Sequence, residues 1–250
     1  MTERVLIKLG GSVLTDKAGD CMIRHDRLEQ IAQQVSGCRE LDLIIVHGAG
    51  SCGHPEAQRH HLDKGLDQIN KSGLFITHRT VRKLNDALVD TLRTHGAEAI
   101  GLHPLGAGFA RDGRLIALEV RPIEQLVLHG IIPVLHGDVV MDLVRGACII
   151  SGDQLVSFLP RHMHIDRIGL ATDVAGVLVN GSVIPQLHAK SVSTLTIGQS
   201  ENTDVTGGMG GKIQELLTLA EQGIESNIFH ISRLGDFLKG QKHGGTVVLP

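Results

Sequence analysis

After the apolar run Leu41–Val46 the chain reads His47-Gly48-Ala49-Gly50-Ser51-Cys52-Gly53-His54. Glycines at the end of a strand let backbone N–H groups approach a phosphate with no Cβ in the way. His54 adds a side chain that donates a hydrogen bond or takes charge near neutral pH. Gly48, Gly50 and Gly53 also fit G-x-G-x-x-G. A dinucleotide site further requires a helix and then a second strand ending in Asp or Glu about 20 residues on. Pro55 and a polar run to Gly65 follow instead, so the dinucleotide reading falls away. His60 and His61 read as surface residues.

Lys8 lies within an apolar stretch, two residues before Gly10-Gly11-Ser12. A lysine in a buried strand is costly unless its ammonium meets an anion; snorkelling at a sheet edge is the alternative. Ser12 offers a hydroxyl donor. Thr206-Gly207-Gly208-Met209-Gly210-Gly211-Lys212 precedes a helix, and free amides at a helix start beside a lysine make an anion site. It is not a Walker A loop, because Thr206 stands at its first glycine and Ile213 at its Ser/Thr. Asp153 either decorates a first helical turn or holds lysines in place. Asp173 reads as a nucleotide contact or a helix cap, and Asp138 as a turn residue. Two lysines from opposite ends of the chain, glycine loops and no nucleophile elbow point to phosphoryl transfer, which depends on positioning and charge neutralisation.

The elements that must hold these residues follow from periodicity. Strands are expected at 4–9, 41–46, near 97–102, at 131–135, 167–171 and 227–231, and in the tail at 245–248. Helices are expected at 26–36, 80–95, 122–129, from 152 to about 159, and at 212–222. Asp112-Gly113 and Asn180-Gly181 mark hairpin turns. The stretch 191–210 reads as a polar, mobile loop. Alternating strands and helices predict an α/β fold with a mainly parallel sheet covered on both faces. Ligands then bind at the carboxyl ends of strands, where the loops after residues 9, 46, 135 and 171 lie. A soft boundary near Pro160 divides the chain into lobes 1–160 and 161–250 on one continuous sheet.

Composition narrows the classes. The 250 residues are 42% hydrophobic and 20% charged with net charge −3, which fits a globular domain without a basic footprint for nucleic acid. There is no Trp or Tyr and only five Phe, so base-stacking platforms are scarce. No apolar stretch spans a membrane and no leader is evident. Cys21, Cys38, Cys52 and Cys148 form no C-x-x-C. They are expected to stay unpaired in a reducing cytoplasm, with Cys52 as small filler.

Taken together, Lys8-Leu9-Gly10-Gly11-Ser12, His136-Gly137-Asp138, Ser151-Gly152-Asp153-Gln154 and Thr172-Asp173-Val174 resemble the amino acid kinase superfamily over nearly the whole chain. Gly48–Pro55 and Asn202–Lys212 are similar to the corresponding loops of isopentenyl phosphate kinases. The resemblance implies an open αβα sandwich, ATP and Mg2+ as cofactors, a prenyl monophosphate acceptor and a homodimer; the composition already points to the cytoplasm and to no partnership with nucleic acid or membrane. The N-terminal lobe would take the acceptor and the C-terminal lobe ATP. It assigns Lys8, Lys17 and Lys212 to the transferring phosphoryl group and His54 to the acceptor phosphate. It assigns Ala49 and Gly152 to substrate, and Gly10, Gly11, Ser12, Gly50, Asp173 and Gly208 to the nucleotide. Asp153 would orient the lysines, and no protein metal ligands are expected. The sequence departs from the family pattern at Cys52 (usually Phe), His136 (Tyr) and Ala175 (Asp). A fosfomycin-type phosphonate kinase and a non-catalytic nucleotide-binding protein of the same fold are the alternatives.

Overall fold

The computed structural model describes residues 2–16, 20–179, 181–188 and 208–250. In chain order the elements are β1 (Arg4–Leu9), α1 (Gly11–Leu14), α2 (His25–Ser36), β2 (Asp42–His47), α3 (His54–Arg59), α4 (Lys71–Thr94) and β3 (Ala99–Gly101). Then come β4 (Gly108–Arg111), β5 (Arg114–Leu118), α5 (Arg121–Leu128), β6 (Ile132–His136), β7 (Asp138–Asp142), β8 (Gly146–Ile150) and α6 (Gly152–Phe158). The second half holds β9 (Arg167–Thr172), β10 (Leu178–Val179), β11 (Ser182–Val183), β12 (Gln186–His188), α7 (Gly208–Ala220), β13 (Ser226–His230), α8 (Leu234–Leu238) and β14 (Thr246–Leu249).

Eight strands form one sheet in the order β12-β14-β13-β9-β1-β2-β6-β3. Every pairing is parallel except β13 with β14. Side chains alternate across β1. Val5, Ile7 and Leu9 pack with α2, α4 and α8, while Leu6 joins the layer formed by α5, α6 and α7. Lys8 shares the Leu6 face. Each fully buried Leu or Ile in these two layers contributes about 1.5–3 kcal/mol. The result is an open αβα sandwich. A separate four-stranded sheet, β5-β4-β7-β8, stands beside it.

Two expectations need correction. The helix predicted over 80–95 runs from Lys71, with Gly73, Thr77, Val81, Leu84, Asn85, Leu88 and Leu92 buried along one stripe. Its first turns escaped the periodicity because Gly73 and Thr77 hold stripe positions; Gly73 packs so tightly on His60 that a Cβ would lie 2.3 Å from the His60 Cβ. The hairpin β7–β8 also escaped. Asp142 interrupts its apolar pattern, yet that carboxylate accepts from Val144 N and Arg145 N in its own turn and from Asp112 N and Gly113 N in the neighbouring one. The predicted turn at Asp112-Gly113 is present, with φ of 49° and 82°. The stretch 191–207, Asn180 and Lys17 lie outside the described residues, and α7 begins at Gly208.

Candidate active site

The site gathers at the carboxyl ends of β1, β2, β6 and β9. Lys8 is 3% exposed, and its Nζ donates to Asp153 Oδ1 at 2.6 Å. An isolated buried ammonium costs several kcal/mol, and a close carboxylate offsets that. Asp153 occupies the first turn of α6, which Ser151 caps by accepting from Gln154 N at 3.1 Å. Gly152 lets the lysine pass: a Cβ there would lie 3.2 Å from Lys8 Cε and 3.1 Å from His47 O. Asp153 is thus the carboxylate partner of Lys8.

The two glycine loops cross in contact. Gly10 N donates to Ala171 O at 2.9 Å, and Gly48 N donates to Leu9 O at 3.0 Å. A Cβ on Gly11 would lie 2.4 Å from Gly50 N, and one on Gly48 would lie 2.8 Å from Gly11 N. Gly50 has φ of +53°, a region that favours glycine. Thr15 fastens the crossing, since its Oγ1 donates to Gly11 O and accepts from Ser51 N, both at 3.0 Å. Ser12 lies on α1 beside this crossing, and Ala49 is buried within the second loop. His54 opens α3 directly after Gly53. Gly53 is required because a Cβ would meet Ala49 Cβ at 2.4 Å and Val81 Cγ2 at 2.8 Å.

On the other half of the sheet, Asp173 follows β9 and is exposed, and Gly208 opens α7. Lys212, half-buried, stands in the first turns of α7. Gly211 from that helix and Asp153 line one cavity of about 310 Å³, together with Arg114, Arg145, Gln154 and Glu215. The cavity thus joins the Lys8–Asp153 pair to the helix that bears Lys212.

Sequence reasoning missed a histidine array beside the second glycine loop. His47 and His136 end the neighbouring strands β2 and β6 and are register partners, with rings stacked 5.5 Å apart. Each Nδ1–H donates to the carbonyl of the glycine that follows it, Gly48 at 2.9 Å and Gly137 at 3.0 Å. Each Nε2 then accepts: His47 from Asn85 Nδ2 at 3.1 Å, His136 from His103 Nδ1 at 2.9 Å. That pattern needs neutral rings. Burial enforces it, pushing His47 down to about 4 and His136 down to about 3. His103 is also lowered by burial. His78 goes the opposite way, raised by its hydrogen bonds to Asp138 at 3.0 Å. The repeated strand-His-Gly signature at 47–48 and 136–137 was the available sequence signal. Asp138, read as a turn residue, is buried and serves as the His78 partner.

The cysteine expectation is corrected. Cys21 and Cys52 form a disulfide across 31 residues, with Cα atoms 4.1 Å apart. An isolated β-bridge pairs Thr15 with Ile23, close to Cys21, and the approach of Cys21 to the glycine loop is one that spacing does not reveal. Cys52 therefore fastens the glycine loop rather than merely filling space. Cys38 and Cys148 remain free thiols, both buried.

The model of the amino acid kinase family matches residues 3–230. The isopentenyl phosphate kinase of Methanothermobacter thermautotrophicus is 36% identical over 262 residues, covering 97% of each chain. That of Haloferax volcanii is also 36% identical, over 97% of this chain and 98% of the relative. Among solved structures, an X-ray structure of isopentenyl phosphate kinase superposes with a TM-score of 0.87 at 31% identity, covering 98% of this chain and 100% of that one.

Proposed function

The chain belongs to the amino acid kinase family, in its isopentenyl phosphate kinase branch, and from that premise we propose that it transfers the γ-phosphoryl group of ATP to isopentenyl phosphate, giving isopentenyl diphosphate and ADP. The observation that carries the reading is the buried Lys8–Asp153 pair. It sits on β1, the strand that borders β2 on one side and β9 on the other, so the ammonium lies where the two halves of the sheet meet. On the β2 side, residues 1–160 supply β1, β2, β6 and β3, with the loop of Ala49, Gly50 and His54; this half would hold the acceptor. On the β9 side, residues 161–250 supply β9, β13, β14 and β12, with Asp173, Gly208 and Lys212; this half would hold ATP.

An oxygen of the acceptor phosphate attacks the γ-phosphorus in line, and the β-phosphate oxygen leaves with ADP. The attacking phosphate is already anionic, so no general base is required. Lys8 and Lys212, with Lys17, would neutralise charge on the moving group. Asp153 would hold the Lys8 ammonium in place. Gly10, Gly11, Ser12 and Gly50 would present backbone and hydroxyl donors to the nucleotide phosphates, while Ala49, Gly152 and His54 would hold the acceptor. Mg2+ is proposed as the counter-ion of ATP. That ion would be ligated mainly by phosphate oxygens; among the described residues no group of three or more His, Cys, Asp or Glu is placed to hold a metal. No described helix is long and apolar enough to cross a membrane. A homodimer in the cytoplasm completes the proposal, checked by light scattering and fractionation.

The test is an ATP-consumption assay across isopentenyl, dimethylallyl and longer prenyl phosphates, with fosfomycin included. Isopentenyl phosphate is expected to give the highest kcat/KM; preference for fosfomycin would overturn the reading. His54→Ala is expected to lower acceptor kcat/KM about 100-fold or more, the scale of a lost positioning contact, while ATP binding holds. Near-full turnover in that variant would remove His54 from the acceptor site.

A further inference from the structure

The N-terminal turn of α7 is intrinsically weak. It carries Gly208, Gly210 and Gly211, and each glycine in a helix costs about 1 kcal/mol relative to alanine. Around Gly210 a Cβ would meet nothing within 4 Å among the described residues. Yet Lys212 stands on this turn. Ile213 seats the next position in the core, and a contact from outside the helix, on the Lys212 face, adds a second hold.

The outside contact comes from the β4–β5 hairpin. Arg114, at the start of β5, places its guanidinium across the Glu215 carboxylate in a two-point contact, with Nη1 on Oε1 and Nη2 on Oε2 at 3.2 Å. The partners are 101 residues apart. Glu215 is three residues beyond Lys212, hence on the same helical face. It is only 8% exposed, so its charge is not simply solvated when the arginine is removed. The hairpin is itself anchored beside the other lysine. The side-chain amide of Gln154 accepts from Leu115 N at 2.9 Å and donates to Gly113 O at 3.1 Å, and Gln154 immediately follows Asp153. The Asp142 carboxylate accepts from Asp112 N and Gly113 N and stiffens the turn. A connected path therefore runs from Lys8 and Asp153 through Gln154 and the hairpin to Arg114, Glu215 and Lys212.

We propose that Arg114 is a positioning residue for phosphoryl transfer: gripping Glu215, it holds the first turns of α7 against the acceptor-side hairpin and sets the distance from Lys212 to the Lys8–Asp153 pair. The proposal rests on the reading of Lys212 as a phosphoryl-stabilising lysine. Arg114 itself need not touch substrate. An ordinary exposed ion pair would matter little; this one differs because it lines the same cavity as Asp153, the partner of Lys8, and Gly211, the neighbour of Lys212.

The test is steady-state kinetics of Arg114→Gln, Glu215→Gln and the swapped pair Arg114→Glu with Glu215→Arg, with melting temperature measured on each. A 1 Å misplacement of a catalytic group costs about 100-fold, so each single variant is expected to lose about 10- to 100-fold in kcat. KM for isopentenyl phosphate should stay within about twofold, since the acceptor loop is untouched. The swapped pair should recover most of the lost kcat, and Arg114→Lys should retain more than Arg114→Gln. Arg121→Gln, which breaks an exposed pair with Glu119 away from the cavity, is expected to be silent. Should a single variant unfold, kcat of the folded swapped pair and of Arg114→Lys decides. Wild-type kcat in folded Arg114→Gln, or a swapped pair no better than the single variants, overturns the proposal. Lys212→Ala separates the two levels. Full activity there refutes the reading of Lys212, whereas an inactive Lys212→Ala beside a fully active Arg114→Gln refutes the strap alone.

Discussion

Adjacent glycines in the first loop should respond oppositely to the same substitution. In Gly11→Ala the new Cβ falls 2.4 Å from Gly50 N and 2.6 Å from Gly50 Cα, against a comfortable separation of about 3.5 Å. The obstacle is backbone, so no rotamer change relieves it; the loops must part by about 1 Å. Gly50 cannot retreat freely, because its own φ is +53° and Thr15 ties Ser51 to Gly11. Overpacking of this kind costs about 1–3 kcal/mol, and alanine in α1 returns up to about 1 kcal/mol of helix propensity. The clash wins, by about 1–2 kcal/mol. At 2–4 °C per kcal/mol for a chain of this size, Tm should fall by about 2–8 °C. The same displacement moves Ala49 and Gly50, so kcat/KM should drop about 100-fold. Gly10 has φ of −60° and ψ of 140°, and a Cβ there meets its nearest atom at 3.4 Å. Gly10→Ala should keep or slightly raise Tm through the restricted unfolded chain. Scanning calorimetry on both variants decides it. Equal melting temperatures, or Gly11→Ala the more stable, would refute the loop-crossing argument.

Titration of thiols under denaturing conditions should find two without reductant and four with it, since only Cys38 and Cys148 are free. For a 31-residue separation the chain-entropy cost removed by the bridge is about 3.7 kcal/mol, so reduction or the Cys21→Ser, Cys52→Ser double variant should lower Tm by about 10 °C. Four thiols without reductant would sink this. Acid should weaken the fold through His47 and His136. Their folded pKa values lie below the ordinary 6.5, so the unfolded chain binds more protons between about pH 6.5 and 4 and stability falls with pH there. Together they contribute roughly 2–3 kcal/mol per pH unit in that window. His78 has the reverse sign: its raised pKa adds stability below 6.5 that is lost as pH climbs through the folded value. Urea midpoints at pH 7, 6, 5 and 4.5 test this, and a flat series would count against neutral buried imidazoles. Asp153→Asn should destabilise by about 3–5 kcal/mol by leaving the Lys8 ammonium buried without its carboxylate; a change under 1 kcal/mol in a chemical-denaturation series would argue that the ammonium is solvated.

Local patterns were legible where one physical cost dominates. Lys8 announced itself because a buried ammonium demands an anion, and Asp153 because it stands in the first turn of a helix. The sandwich followed from alternating apolar periods, and the Asp112-Gly113 turn from residues that accept positive φ. What escaped depends on distant partners. Glu215 meets Arg114 across 101 residues, and nothing in the spacing marks that pair; Asp153 meets Lys8 across 145, a pairing that is one of the two readings of Asp153 and that the family resemblance favours. Cys21 and Cys52 share no motif, yet they form a disulfide in the fold. The histidines escaped for a different reason. An imidazole beside a glycine loop reads naturally as a ligand contact, as His54 does, whereas His47 and His136 are buried and face inward. Their Nδ1–H groups hold the carbonyls of Gly48 and Gly137, and Gly137 N donates to His47 O at 2.9 Å. The glycines give these turns their freedom, and the neutral imidazoles then remove it. Protonating His47 would turn Nε2 into a donor facing the Asn85 amide donor and break that contact. Loss of the acceptor-loop geometry should therefore accompany the acid loss of stability, with acceptor KM rising as the urea midpoint falls.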